Sequence, residues 1–140
     1  RLDELQAGLL RVKLTHLDEM NAERNQIAAR YLNGITNPCV RLPRIRPDSD
    51  STWHQFVIHT DVRDELAAFL ARREIGTVIH YPIPPHLSRA YAYLGYHPGA
   101  FPIAERYAGE VLSLPMYNGI TREEQDFVID SINAFAPGRD

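Results

Sequence analysis

Apolar residues recur at steps of three and four along the first quarter of the chain, which is typical of an amphipathic helix. They are Leu2, Leu5, Leu9, Val12, Leu17, Met20, Ile27 and Tyr31. The pattern predicts either one long helix over residues 1–34 or two helices joined near Thr15 to Asp18, ending at Asn33-Gly34. Helices of about 30 residues exceed the usual ~10 to 14, and we expect such a helix to cross between domains or to lie along a large partner.

The middle of the chain alternates extended and helical patterns. Residues 35–51 hold three prolines and no period, which predicts an extended loop. Aromatic and β-branched residues at Thr52 to Thr60, a short run at Thr77 to His80 and an apolar run at Val111 to Leu114 predict strands. We therefore expect a small sheet of about three strands.

Helical patterns separate and follow these strands. A helix over residues 61–76 should begin at Thr60 or Asp61 and end at Gly76. A short helix is predicted for "PHLSRAYAYLG", and another for "FPIAERYAGE" ahead of the last strand. Thr121 and Glu124 form a capping box for a final helix. The order predicts an α/β fold, in the manner of a small α+β domain: a long N-terminal helix plus a small sheet covered by helices, with residues 1–140 as one domain.

Composition narrows the function classes. The chain has 140 residues, a formal net charge of −3 and 44% hydrophobic residues. The length and the hydrophobic share are enough for one core. The slightly negative net charge does not supply the basic surface that binding to nucleic acids or anionic membranes requires. The single cysteine, Cys39, excludes an internal disulfide, and the histidines lack the spacing of a zinc site, so a reducing cytosol is expected. The sequence starts in mid-period without methionine, so we expect a piece of a longer chain.

The segment "IHYPIPPH", from Ile79 to His86, holds the main candidate functional side chains and is called the proline loop below. Its three prolines fix the backbone and exclude helix interior and central strand. The loop is either a packed corner or a recognition surface, since a rigid backbone presents imidazole and phenol groups to a polar ligand at low ordering cost. A metal site is disfavoured, because no carboxylate accompanies the histidines at helical spacing. No nucleophile stands in a recognisable setting, so the chain is not expected to be a complete enzyme.

Several separated motifs give the chain a family resemblance. "RLDELQA", "WHQFVI", "IGTVIHYPIPPHL", "AYAYLGY", "FPIAERYAGEVLSLPMY" and "QDFVIDSI" follow one another at the spacing of the C-terminal domain of DegT/StrS-type nucleotide-sugar aminotransferases. These are fold-type-I enzymes that depend on pyridoxal phosphate. The resemblance covers nearly the whole chain.

The resemblance implies that the two domains of such an enzyme have different roles. In such enzymes the large N-terminal domain carries the Schiff-base lysine and most cofactor contacts, while the small domain closes over the active site. The loop residues His80, Tyr81 and His86 match positions that face the nucleotide-sugar. Arg1 matches the last residue of an Asn-x-Arg motif whose asparagine binds the cofactor phosphate of the partner subunit in a homodimer.

The same resemblance implies a reaction. The complete enzyme would move an amino group from an amino-acid donor, expected to be glutamate, to a keto-deoxysugar nucleotide. The direct His-Tyr-Pro sequence resembles members that aminate the third carbon of the sugar. Lys13 does not match the Schiff-base lysine, so this chain alone is predicted to be inactive. Two alternatives stay open: a non-catalytic module that binds sugar nucleotides or dimerises, and a small-molecule sensor on the same fold.

Overall fold

The structure, a computed structural model, describes residues 3–138. Five α-helices, α1 to α5, and two strands, β1 and β2, follow one another in this part of the chain. In chain order they are α1 (Glu4–Leu14), α2 (Leu17–Gly34), β1 (Phe56–His59), α3 (Arg63–Arg72), α4 (Pro102–Glu110), β2 (Val111–Leu114) and α5 (Arg122–Ala134). Two short 3-10 helices, Pro85–Leu87 and Arg89–Leu94, lie between α3 and α4.

The N-terminal pattern forms two helices rather than one. Asp3 caps α1 by accepting hydrogen bonds from the backbone N–H groups of Leu5 and Gln6. The helix stops at Leu14, and α2 starts again at Leu17 after a break at Thr15 and His16. The Thr15 hydroxyl donates to Val12 O at 2.7 Å, which offers the backbone an alternative to helix continuation. Of the two alternatives that the sequence left open, the jointed one is correct.

The sheet is smaller than the sequence predicts. β1 and β2 pair antiparallel, with Phe56 opposite Leu114 and His59 opposite Val111. The second predicted strand, Thr77 to His80, reaches β2 only through a single bridge between Val78 and Ser113. It cannot extend further, because Pro82 follows closely and has no N–H to donate.

The first predicted strand is also shorter than expected. Trp53 has φ at 48°, a left-handed conformation that interrupts extended backbone. Regular pairing therefore begins only at Phe56. Phe56 and Ile58 are fully buried while Val57 and His59 are partly exposed, because successive side chains of a strand point to opposite faces of the sheet.

Helix α3 ends differently from the prediction. Neither Thr60 nor Asp61 caps it, and the chain leaves the helix at Glu74, whose φ is 60°, rather than at Gly76. The Ile75 N–H donates to Leu70 O at 3.0 Å and the Glu74 N–H to Ala71 O at 3.0 Å, the paired bonds of a Schellman motif. Ile75 and Leu70 are both buried, so the apolar contact of that motif positions the turn. The predicted helix after the proline loop is present only as the two 3-10 segments.

One core joins these elements. α5 packs against α2 and α3, and α3 packs against β2. Tyr31 of α2 and Phe56 of β1 meet edge to face with ring centroids 5.1 Å apart. Gly34 lets α2 end against α5, because a Cβ there would lie 2.9 Å from the Ile129 side chain. The observed architecture confirms the predicted fold class of a small mixed domain.

Candidate functional site

The proline loop leaves the sheet at Val78 and immediately presents His80. Val78 exchanges two backbone hydrogen bonds with Ser113 of β2, at 3.2 and 2.8 Å. Two residues later the His80 Nδ1 atom lies 2.9 Å from the Ser113 Oγ atom. The peptide bond between His80 and Tyr81 is cis. Strand β2 thus holds the start of the loop through the backbone of Val78 and the side chain of His80.

A small cavity lies beside His80 and Tyr81. Its volume is about 200 Å³, and its lining residues are His80, Tyr81, Ile83, Pro84, Pro85, Ala104, Tyr107, Ala108 and Val111. The Tyr81 side chain is mostly in solvent, since the residue is 72% exposed, and its ring meets that of His80 edge to face at 5.5 Å. Pockets for whole small-molecule ligands are typically ~300 to 1,000 Å³, so this cavity suits one end of a larger ligand.

His86 lies apart from that cavity, behind the loop. Its Nε2 atom is 3.0 Å from Glu105 Oε1, and its side chain is only 8% exposed. The Phe101 ring packs against the imidazole with centroids 4.8 Å apart. The structure therefore brings His80 and Tyr81 together and holds His86 in a packed corner. A direct substrate contact by His86 stays a prediction that these intramolecular contacts do not favour.

Glu105 organises that corner. It accepts hydrogen bonds from the backbone N–H groups of Gly99, at 2.8 and 3.0 Å, and of Phe101, at 3.1 Å. The N–H of Gly99 first, then that of Phe101, and after them His86 hold the pKa of the Glu105 carboxyl below its usual range. An ionised Glu105 thus ties the loop ahead of α4 to the histidine.

A second polar cluster lies on the other side of Tyr107. Arg41 Nη2 is 2.8 Å from Glu110 Oε2 and 3.1 Å from Asp61 Oδ1, and the His59 ring meets the Tyr107 ring edge to face at 4.6 Å. Burial lowers the pKa of His59, while the Glu110 carboxylate opposes that shift. The Arg41 guanidinium holds the pKa of Asp61 below its usual range.

That cluster lines a cleft of about 1,140 Å³ and was not recognised from the sequence. In the sequence, Arg41, Arg44 and Arg46 alternate with apolar residues and proline, a pattern that fits either a solvated loop or side chains that reach a diphosphate. The structure shows Arg41 engaged by two carboxylates and Arg46 paired with Asp48 at 2.8 Å. No spacing in the sequence relates Arg41 to Asp61 and Glu110, because folding alone brings them together.

A third cluster fixes the stretch ahead of β1. The part-buried Arg24 donates to the backbone oxygens of Trp53 and His54, both at 3.2 Å, and to Asn118 Oδ1 at 3.1 Å. Asn118 Nδ2 in turn donates to Glu23 Oε2 at 2.8 Å. These contacts hold the backbone of Trp53, which has the left-handed conformation, and of His54 next to it.

The remaining candidate residues are simply placed. Arg1, to which the resemblance gives a cofactor contact, lies outside the described residues. Lys13, the one lysine of the sequence, is exposed in the last turn of α1. Across residues 3–138, no group of three or more histidine, cysteine, aspartate or glutamate residues is arranged to hold a metal ion. No helix in the described part of the chain is both long and apolar enough to span a membrane.

Comparison with known proteins identifies the family. The model of the DegT/DnrJ/EryC1/StrS aminotransferase family matches residues 1–133. The erythromycin biosynthesis sensory transduction protein EryC1 of Saccharopolyspora erythraea is 50% identical over 137 residues, which are 97% of this chain and 37% of that protein. The dTDP-3-amino-3,6-dideoxy-alpha-D-galactopyranose transaminase of Aneurinibacillus thermoaerophilus is 43% identical over 135 residues, 96% of this chain and 37% of that protein.

Solved structures agree. The crystal structure of S. venezuelae DesV in complex with a ketimine intermediate superimposes with a TM-score of 0.94 at 45% identity, covering 100% of this chain and 38% of that one. Fold and sequence thus both point to an aminotransferase domain. The chain belongs to the DegT/DnrJ/EryC1/StrS aminotransferase family. It spans a little over a third of the length of these relatives.

Proposed function

We propose that this chain is the substrate-closing C-terminal domain of a pyridoxal phosphate-dependent aminotransferase. The enzyme transfers an amino group from glutamate to a keto-deoxysugar joined to dTDP or UDP. Family membership supports the reaction class. Amination at the third carbon is supported by the His-Tyr-Pro sequence and by two relatives, at 43% and 45% identity, whose names specify 3-amino sugars.

The residues of this chain do not fit as the covalent holder of pyridoxal phosphate. That cofactor supplies the electron sink for amino transfer once a lysine holds it as a Schiff base. Lys13 is exposed on α1 and is not among the residues that line the His80 cavity. We therefore assign the Schiff-base lysine to another part of the polypeptide and expect this chain alone to be inactive.

The observation that carries the proposal is the geometry of His80. Its Nδ1 atom is bound to Ser113, and the ring lines the cavity next to the exposed phenol of Tyr81. Among the described contacts, the Nε2 atom has no partner within the chain and is available to a ligand. The cavity is too small for a whole sugar nucleotide, which agrees with a domain that closes over one end of it.

Residues 1–34 are proposed to link this domain to the large domain of a cytoplasmic homodimer. The apolar side of α1 supports this assignment. Leu5, Leu9, Val12 and Leu14 are all exposed. Apolar side chains that recur on one helix at this density favour a protein contact rather than solvent.

A non-catalytic sensor or binding module is the second candidate. It is supported by the names of two relatives, the sensory transduction protein at 50% identity and a pleiotropic regulatory protein of Geobacillus stearothermophilus at 41%. In that case the same loop would bind the sugar nucleotide without turnover. Binding with no amino transfer by the complete polypeptide would favour it.

The test replaces His80 in the complete polypeptide that carries this sequence. Alanine would remove the substrate-facing edge and also the partner of the buried Ser113, so it would disturb both binding and folding. His80→Asn is sharper, because its amide retains a polar atom near the Nδ1 position and removes the Nε2 edge. We expect kcat/KM for the sugar nucleotide to fall by the equivalent of about 1 to 3 kcal/mol, with a melting temperature close to that of the wild type.

His16→Ala is the matched control, because it removes an exposed imidazole at the junction of α1 and α2, outside the proline loop. Its kinetics should remain those of the wild type. A His80→Asn variant that melts normally and turns over normally would show that the loop is rigid for packing alone, and that His80 does not face the substrate.

A further inference from the structure

Ser113 is the polar exception in a buried strand. All four residues of β2 are buried, and the other three are Val111, Leu112 and Leu114. Ser113 itself is 6% exposed. Burying a hydroxyl costs free energy unless it is hydrogen-bonded. An apolar side chain such as alanine would fill the same buried position without that cost. The position calls for a specific partner for the hydroxyl.

Within residues 3–138 that partner is His80 alone. The backbone N–H and C=O of Ser113 are both engaged by Val78, at 2.8 and 3.2 Å. The Ser113 Oγ atom makes one hydrogen bond, to His80 Nδ1 at 2.9 Å. The bridge between Val78 and Ser113 sets this pairing, because residues two apart on an extended segment face the same side and come within reach of the strand opposite.

Hydrogen-bond accounting decides which atom donates. If the imidazole donated from Nδ1, the serine hydroxyl hydrogen would remain buried without an acceptor among the described residues. An unsatisfied buried donor is costly, whereas a hydroxyl that donates to an unprotonated Nδ1 satisfies both groups. The proton of a neutral His80 then lies on Nε2, the nitrogen that has no partner in the chain.

We propose that Ser113 is a positioning residue that fixes His80 in the Nε2–H tautomer and so makes its free edge a hydrogen-bond donor. This proposal rests on the proposed function only for the identity of the ligand. A donor at that edge recognises an oxygen acceptor, which in a keto-sugar nucleotide is a carbonyl, hydroxyl or phosphate oxygen. Ser113 acts through His80 and does not itself touch the ligand.

The tautomer is read directly by nitrogen-15 NMR of the 140-residue chain labelled at histidine. The spectrum is recorded near pH 8.5, about two units above the ordinary histidine pKa. The His80 signals are assigned by their loss in His80→Asn. We expect an Nε2–H pattern in the wild type, and in Ser113→Ala a shift of both His80 nitrogens toward the average of two exchanging tautomers. The His86 signals, whose partner is Glu105, serve as the internal control and should not move.

Kinetics of the complete polypeptide add a second readout. Ser113→Ala should lower kcat/KM for the sugar nucleotide about three- to tenfold when His80 is present, and should have no further effect in a His80→Ala background. Ser113→Thr retains the hydroxyl and should restore both the tautomer and the rate. A merely structural role for Ser113 would instead give the same loss with and without His80.

The outcomes separate the two proposals. An Nδ1–H pattern in the wild type, or unchanged His80 signals in Ser113→Ala, overturns the positioning role. A fixed Nε2–H tautomer that responds to Ser113→Ala supports it. If in addition His80→Asn turns over like the wild type, the positioning role stands and the proposed substrate contact of His80 fails.

Discussion

Helices α1 and α5 have similar sequence patterns and opposite environments. Both carry an apolar stripe and a side-chain N-cap, from Asp3 in α1 and from Thr121 in α5. In α5 five residues are buried, whereas none is buried in the described range Glu4–Leu14 of α1. Ile132 of α5 is 0% exposed and Leu9 of α1 is 66% exposed. The periodicity therefore predicts a helix in both places and says nothing about what covers it.

The physical reason is that caps and helix propensity are local, whereas burial depends on residues far along the chain. The end of α5 illustrates this. Asn37, which lies about a hundred residues earlier, donates from its side-chain amide to Ile132 O at 2.7 Å and to Phe135 O at 2.8 Å. These bonds give two carbonyls, one in the last turn of α5 and one just beyond it, a hydrogen-bond partner from far along the chain. The described part of α1 has no such tertiary support, and its stability rests on local terms that are marginal for 11 residues.

The largest expected effect is in α5. Ile132→Ala should lower the free energy of unfolding of the chain by about 2 to 5 kcal/mol, because a fully buried side chain leaves a cavity. Urea denaturation measures this change. If the alanine variant does not fold, Ile132→Val should lower the same quantity by about 0.5 to 1.5 kcal/mol. An unchanged midpoint for both variants would contradict the packing of α5.

Removing the N-cap of α5 or of α1 should lower the free energy of unfolding by less than the core substitution does. Thr121→Ala should lower the free energy of unfolding by about 1 kcal/mol, because it removes one bond of a capping box on a helix that is part of the core. Asp3→Ala removes the equivalent cap of α1 and should change the same quantity by less than about 0.5 kcal/mol, since α1 contributes little to global unfolding. Equal losses from the two caps would show that α1 unfolds together with the core.

The capping box also has a pH signature. The backbone N–H of Thr121 first, and then its hydroxyl, hold the pKa of Glu124 below its ordinary value. Because the pKa is lower in the folded than in the unfolded chain, the contribution of Glu124 is present at neutral pH and is lost as the pH falls through the lowered pKa. Glu124→Gln removes the charge but keeps an oxygen that can accept from the Thr121 N–H, so it should reduce the acid-induced loss of stability measured by urea denaturation at several pH values. At neutral pH it should cost less stability than Thr121→Ala, which removes a bond of the capping box.

The smallest effect is expected on the exposed side of α1. Leu9→Ala should change the free energy of unfolding of the 140-residue chain by less than about 0.5 kcal/mol, because the side chain has no packing to lose. The same substitution in the complete polypeptide tests the proposed contact of α1 with the large domain, where it should cost several times more. A loss above about 1 kcal/mol in the 140-residue chain would mean that α1 is already covered there.

The sequence predicted the parts of this fold that depend on local rules. The capping box at Thr121 and the strand Val111–Leu114 follow from short-range patterns, and the break at Thr15 is one of the two alternatives that the N-terminal pattern left open. The predicted strand at Thr77 to His80 is reduced to a single bridge, because only Val78 meets β2 and Pro82, which has no N–H to donate, follows closely. Likewise Gly76 looked like the helix end by residue type, whereas the contact between Leu70 and Ile75 put the turn at Glu74.

The candidate site shows the same division. Proline content and the family resemblance led to His80 and Tyr81, and the structure places them beside one cavity. Nothing in the residue spacing indicated that His86 would form a hydrogen bond with Glu105, or that His80 would form one with Ser113. Both bonds join residues that are 19 and 33 positions apart, and only the tertiary structure relates them.

The bridge between Val78 and Ser113 also affects how fast the Ser113 amide hydrogen exchanges with solvent. The Ser113 amide hydrogen is held by Val78 O on one side of β2, while β1 covers the other side, so it can exchange with deuterium only when the sheet opens. Amides in such central positions exchange through large openings that approach global unfolding, whereas those of frayed helices exchange through local ones. The residue that supports the His80 imidazole should thus be among the slowest to exchange in the molecule, and the loop is anchored to a part of the protein that rarely moves.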